Sequence, residues 1–251
     1  MARERRANPL AGKAGGRALL LTLFALLCLL ALGPLSARAK DPRKADDPRL
    51  VALLQKMNDL QKGIQTLRVK FVQTNNFQML AKPQVLKGEL TLKKPDTALY
   101  RYTSPSPLYF LIKDGDLLVY EPRQKRVVVQ DIRRHQNKII RYLGVGQPLD
   151  ELKESFTVIW SGEEGHIVHL TLLPRKFRLK RKIAVLHFDV DDRTGLLEGF
   201  DVVETEGDVI RFDFSDWELN PALPPDAFKV NIPPGVKVQR QLMDLQDPFK
   251  P

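Results

Sequence analysis

The sequence predicts a mainly β protein with a few helices: an antiparallel barrel or strongly curved sheet of about eleven strands. Three observations lead there. Short segments that alternate apolar and polar residues recur along the chain, parted by Pro, Gly and Asp breaks. Two clear amphipathic helical patterns stand outside any βαβ arrangement, so their apolar stripes need the concave face of a sheet. Beyond an N-terminal leader, about 212 residues remain, enough for one all-β domain.

Residues 1–39 read as a secretory signal peptide. Arg3, Arg5, Arg6, Lys13 and Arg17 make a basic start, and 18–32 is apolar apart from Thr22. Gly33-Pro34 breaks the run, and Ala37-Arg38-Ala39 fits a small-x-small cleavage site, with cleavage after Ala39. A retained anchor is the alternative, but the run is shorter than the ~20 residues a spanning helix needs. The one cysteine, Cys28, lies in that run behind Leu27, where a lipidation signal needs a small residue. The expected mature chain has no disulfide, no thiol nucleophile and no Cys-ligated zinc.

Residues 40–48 read as a flexible lead. Leu50, Leu53, Leu54, Met57, Leu60 and Ile64 then recur at helical spacing, predicting a helix over 49–62 that Gly63 stops. The first strand spans 66–74, with Leu67, Val69 and Phe71 on one face and Gln73 following. Residues 86–122 read as four antiparallel strands, broken at Lys94-Pro95-Asp96, at 104–107 and at Asp114-Gly115. In them Leu90 and Leu92, then Tyr100 and Tyr102, share a face. Such aromatics line either a plain core or a ligand pocket. Another strand spans 125–130. A second helical pattern runs through Ile132, Gln136, Ile139, Ile140 and Leu143, and a third short helix runs from Gln147-Pro148 through Glu154. Strands follow at 155–160, 166–173, 183–190, 197–205 and 209–217, with a last short one near 236–238. The domain thus spans 49–238, with a tail at 239–251.

No catalytic motif emerges: neither a G-x-S-x-G elbow, a phosphate-binding glycine loop nor H-E-x-x-H occurs. The chain reads as no enzyme, with no cofactor. His166 and His169 stand three apart on a strand, so they face opposite ways and do not chelate one metal. Residues 189–195 mimic a calcium loop but place Arg193 at a ligand position and end without Glu, so they read as a hairpin turn.

The whole chain carries a net +10, and +5 remains beyond the leader. The run 175–182, with six Lys/Arg, accounts for that excess. It reads either as a solvated hairpin loop or as a surface for anionic lipid headgroups or an acidic partner. Nucleic acid is not an expected partner, for want of a motif.

With these residues laid out, the chain resembles the LolA family, the periplasmic carriers that move lipoproteins to the outer membrane of Gram-negative bacteria. The likeness spans roughly 50–238. Its landmarks are Phe71-Val72-Gln73, the stretch 88–95 (GELTLKKP), Tyr100-Arg101-Tyr102, Asp114-Gly115, Tyr120-Glu121-Pro122 and the closing 228–236 (FKVNIPPGV). The resemblance implies an incomplete antiparallel barrel whose helices form a lid over an apolar cavity. It implies that Val69, Phe71, Leu90, Leu92, Tyr100, Tyr102, Ile132, Ile139, Ile140 and Leu143 line an acyl-chain cavity. It implies acylated lipoproteins as cargo, an inner-membrane ABC transporter as donor, an outer-membrane receptor lipoprotein as acceptor, and a monomeric carrier. Where the family has an arginine that bonds lid-helix backbone and latches the cavity, this chain has Lys94, expected to latch more weakly because it lacks the planar fork. Other readings of the same fold are a lipid-sensing envelope-stress regulator, which would carry a second domain, and the receptor itself, which needs a lipidated cysteine. A carrier of another lipid or glycolipid is the fourth reading.

Overall fold

The computed structural model describes residues 47–133 and 149–242. Of the expected cavity residues, Ile139, Ile140 and Leu143 lie outside the described residues, as do the leader and most of the lead.

The first helix, α1 (Pro48–Gly63), starts where its sequence supplies a cap. The Asp47 side chain accepts from the Arg49 N–H at 2.9 Å, and Pro48 occupies the first turn, where no donor is missed. Leu50, Leu53 and Leu54 form its buried stripe. The strands follow in chain order: β1 (Thr66–Asn76), β2 (Gln84–Lys93), β3 (Thr97–Ser104), β4 (Leu108–Lys113), β5 (Asp116–Glu121) and β6 (Arg126–Asp131). A short helix, α2 (Leu149–Ser155), leads into β7 (Phe156–Glu164) and β8 (Ile167–Pro174). After a single helical turn, α3 (Phe177–Lys180), come β9 (Ile183–Asp191), β10 (Leu197–Glu204), β11 (Val209–Leu219) and β12 (Lys237–Leu242).

These strands make one open sheet in the order β12-β6-β5-β4-β3-β2-β1-β11-β10-β9-β8-β7. The hairpins are antiparallel, so loops gather at two rims. One rim holds the turns at Lys94-Pro95-Asp96, Asp114-Gly115 and 192–196. The other holds the connections at 77–83, 122–125, 175–182 and 205–208.

Four sequence expectations need correction. The described residues form twelve strands, in line with the expected count of about eleven, but the last reaches Leu242, past the expected domain end at 238. That strand pairs with β6 in parallel, not antiparallel. Residues 220–236 carry the chain from the rim where β11 ends back to the rim where β6 begins, so β12 runs in the direction of β6. Ile132 belongs to no helix: it directly follows β6, its N–H bonded to the Gly115 carbonyl at 2.7 Å. The basic run, expected as a hairpin loop, holds the one-turn helix α3, because Leu179 is buried there.

The two sheet faces are covered differently. Leu50, Leu53 and Leu54 of α1 belong to one hydrophobic cluster with the face bearing Leu67, Val69, Phe71, Leu90, Leu92, Tyr100 and Tyr102. On the other face Leu99, Tyr120 and Val127 are also buried, and residues 224–231 lie over part of it.

Candidate functional site

The helix-covered face is built in rows across the strands. Val69 pairs with Leu90, Leu90 with Tyr100, and Tyr100 with Phe110. One row along, Phe71 opposes Gly88, and Gly88 opposes Tyr102. A Cβ on Gly88 would stand 2.6 Å from the Phe71 ring and 2.7 Å from the Arg101 carbonyl. Glycine therefore lets the Phe71 ring lie across β2, 5.1 Å from Tyr102 and 5.9 Å from Tyr100 between ring centroids. The structure thus brings Val69, Phe71, Leu90, Leu92, Tyr100 and Tyr102 onto one face, and all are buried. Ile132 is buried in the same cluster.

Sequence reasoning left out the other half of this face. Phe188 pairs with Phe200, Phe200 with Phe212, and Phe212 with Gln73. The Phe200 and Phe212 rings stack at 5.0 Å, and Phe214 continues the row toward Trp217 at 5.5 Å. Phe188, Phe200, Phe214, Trp160 and Trp217 are only partly buried, unlike the β1–β3 residues under α1. The same period-two alternation in 183–190, 197–205 and 209–217 carried this signal.

A polar seam crosses the apolar face. The Tyr102 hydroxyl donates to Gln73 Oε1 at 2.7 Å, Gln73 Nε2 donates to Asn75 Oδ1 at 2.8 Å, and Asn75 Nδ2 donates to Gln84 Oε1 at 3.2 Å. Gln73 and Asn75 are almost wholly buried, so each bond offsets a desolvation cost. Burial pushes the Tyr100 and Tyr102 hydroxyls far above the usual phenol range, which keeps both neutral.

Helix α1 lies crosswise at one rim and is fastened along its length by cations. Arg49 sits 4.8 Å over the Trp160 ring and 3.9 Å from Glu163 of β7. Lys56 Nζ donates to the Asp192 carbonyl at 2.6 Å, in the β9–β10 turn. Gly195 of that turn has φ +77°, and a Cβ there would stand 3.1 Å from Lys56 Cγ. At the far end Lys94 Nζ donates to the Gln61 carbonyl at 2.6 Å, and Asn220 Nδ2 donates to Gly63 O at 3.0 Å. An ammonium at a helix C-terminus complements the dipole and satisfies a terminal carbonyl. Partial burial lowers the Lys94 ammonium below the usual lysine range.

The decoy motifs resolve into ordinary structure. His169 Nδ1 lies 2.7 Å from Asp189, while His166 sits 3.6 Å from Asp192. Asp191 Oδ1 accepts from the Arg193 and Thr194 N–H groups at 2.9 Å each, which commits it to the hairpin turn. A separate cleft of about 510 Å³ lies on the opposite face, lined by Arg68, Glu89 and Arg101 among others and walled by 224–231. Its charged lining suits no acyl chain. Among the described residues, no helix is long and apolar enough to cross a membrane.

Residues 62–231 match the family described as outer membrane lipoprotein carrier protein LolA. The outer-membrane lipoprotein carrier protein of Pseudomonas paraeruginosa is 27% identical over 222 residues, which cover 88% of this chain and 98% of that protein. The protein of the same name from Pseudomonas fluorescens is 27% identical over 214 residues, 85% of this chain and 95% of that protein. Among solved structures, an uncharacterized conserved protein from Thermus thermophilus superposes with a TM-score of 0.50 at 9% identity, covering 75% of this chain and 97% of that one. That likeness speaks to the fold.

Proposed function

This chain belongs to the outer membrane lipoprotein carrier protein LolA family, and on that premise we propose that it is a periplasmic carrier that shields the acyl chains of lipoproteins on their way to the outer membrane. The observation that carries the reading is the aromatic face held under a helix by side-chain fastenings. Each acyl CH2 exposed to water costs ~0.8 kcal/mol, so a multiply acylated protein needs tens of kcal/mol to cross unshielded. Val69, Phe71, Leu90, Leu92, Tyr100 and Tyr102 offer an apolar surface in exchange, with Ile132 in the same cluster; Ile139, Ile140 and Leu143, outside the described residues, are assigned to it by the family resemblance alone. The open-sided aromatics Phe188, Phe200 and Phe214 extend it.

Loading displaces α1 from this face. The Leu50, Leu53 and Leu54 stripe then gives way to acyl chains, and Lys94 releases Gln61. Because empty carrier regains helix packing and several polar fastenings, binding stays moderate and cargo is released. The carrier is exported with its leader cleaved after Ala39 and works as a monomer. It takes cargo from an inner-membrane ABC transporter and yields it to an outer-membrane receptor lipoprotein. It performs no bond chemistry and needs no cofactor.

Native mass spectrometry of protein purified from the periplasm tests this. A co-purifying acylated protein is the expected result. Free lipid alone would instead indicate a lipid or glycolipid carrier, and an empty protein that a lipoprotein-releasing transporter fails to load would sink the proposal.

A further inference from the structure

Three connections meet at the rim opposite α1. Gln78 in the β1–β2 loop donates its N–H to Asp208 at 2.7 Å and its amide to the Gly207 carbonyl at 3.1 Å. In the same β10–β11 turn, Thr205 donates its N–H to the Lys182 carbonyl and its hydroxyl to the Arg181 carbonyl. The β1–β2 loop, the β10–β11 turn and the basic run 175–182 therefore form one continuous ridge.

This ridge exposes apolar side chains that a folded core would have hidden. Phe177 is 76% exposed and Met79 is 73% exposed, with Leu80 and Leu173 also on the surface. The exposure of Phe177 is built in: Leu179, two residues on, is buried and anchors the α3 turn, which leaves Phe177 outside. Scattered exposed apolar residues are common on any protein. Here they sit among the six cations of 175–182, with Lys82 on the neighbouring loop and Arg123 and Lys125 farther along the rim. Against these stand Glu206 and Asp208. The opposite rim is mixed: Asp96, Asp114, Asp116, Asp192 and Glu164 stand there beside Lys93, Lys94, Lys113, Arg133 and Arg193.

We propose that the ridge formed by 77–82, 205–208 and 175–182 is a docking surface for an anionic phospholipid bilayer, with Phe177 and Met79 entering the headgroup layer and the basic run lying on the phosphates. An exposed ridge suits a flat, deformable partner better than a complementary protein groove, and the positive charge is concentrated there, so an anionic surface orients the chain. The lid helix and its fastenings lie at the other rim, so docking is independent of cargo.

Cosedimentation of the periplasm-purified, unloaded protein with vesicles tests this, using phosphatidylglycerol–phosphatidylethanolamine against pure phosphatidylcholine. Binding to the anionic vesicles is expected, and it weakens with salt. Lys180→Gln and Arg181→Gln each weaken it about fivefold, at about 1 kcal/mol per cation near an anionic surface. Phe177→Ser weakens it roughly tenfold, the order of an aromatic side chain's transfer out of an apolar layer. Glu164→Gln on the opposite rim leaves it unchanged, and circular dichroism reports that every variant folds. No binding to anionic vesicles at low salt, equal binding to phosphatidylcholine, or indifference to the Lys180, Arg181 and Phe177 substitutions overturns the proposal. Capture of an acidic protein by the same residues, without vesicle binding, overturns the lipid assignment as well. Cargo retention, read separately, keeps a failure here distinct from failure of the carrier reading.

Discussion

On the proposed carrier reading, a single ammonium is the residue-scale control on α1. Lys94 makes one hydrogen bond to Gln61, whose carbonyl also accepts the capping N–H of Ile64 at 3.2 Å. Removing it frees α1 without leaving that carbonyl orphaned, so the effect falls on opening rather than on folding. Lys94→Ala is expected to raise the open population of α1 about tenfold, at about 1–2 kcal/mol for a partly exposed charged hydrogen bond. Amide hydrogen exchange over the last turn of α1 reads this directly, and unchanged protection there would remove Lys94 from the latch. Lys94→Arg should slow opening, because a guanidinium fork can reach more than one carbonyl. The position was legible from the alternation along β2 and from the family resemblance. Its partner was not, because nothing local to 94 says which helix carbonyl arrives there. Gln73 shows the same limit: it reads as an ordinary polar strand residue until Tyr102 and Asn75 close around it.

At the scale of elements, helices and hairpins followed their local chemistry closely. α1 was legible from its stripe and from Gly63, and its cap at Asp47 explains why it begins at Pro48, ahead of the stripe's first leucine. The β9–β10 hairpin is a self-contained unit in which Arg193 and Thr194 converge on Asp191. Hydrogen bonding from the Arg193 side chain is the main influence holding the Asp191 carboxyl to about 2, below its ordinary 3.8. A depressed folded pKa means that this stability is complete above about pH 4 and disappears as pH falls toward 2. Asp191→Ala should therefore cost about 1–3 kcal/mol near neutrality. The gap between variant and parent thermal melts should close on acidification through that window. A gap independent of pH would show that the carboxylate's charge has no part in the turn. Because Lys56 of α1 bonds the same turn, the hairpin also supports α1. The basic connection was harder to read: charge alone suggested a solvated loop, while one buried leucine bends it into a helical turn.

The whole molecule is an open sheet with α1 packed on one apolar face, and on the proposed reading its stability should report occupancy. A ligand that binds only the folded carrier adds about 2.7 kcal/mol at a hundredfold excess over Kd. For a domain of this size that is roughly a 5–10 °C rise in Tm. A triacylated lipopeptide should produce it and the deacylated peptide should not; equal shifts would place binding on the peptide rather than the acyl chains. Among the described residues, no pair closes the sheet between its edges β7 and β12. The sequence by itself determined the run of strands, the place of α1, the apolar parity of β1–β3 and the absence of a catalytic motif. Each of these rests on periodicity or residue type within a few neighbours. Only the tertiary structure decided that β12 runs parallel to β6, that Phe188, Phe200 and Phe212 join Phe71 in one aromatic surface, and that Lys94 meets Gln61. Those depend on contacts between residues far apart in the chain, fixed by register and by the path of 220–236, and no local pattern encodes them. The same holds for the ridge around Phe177, which forms where three separate loops converge.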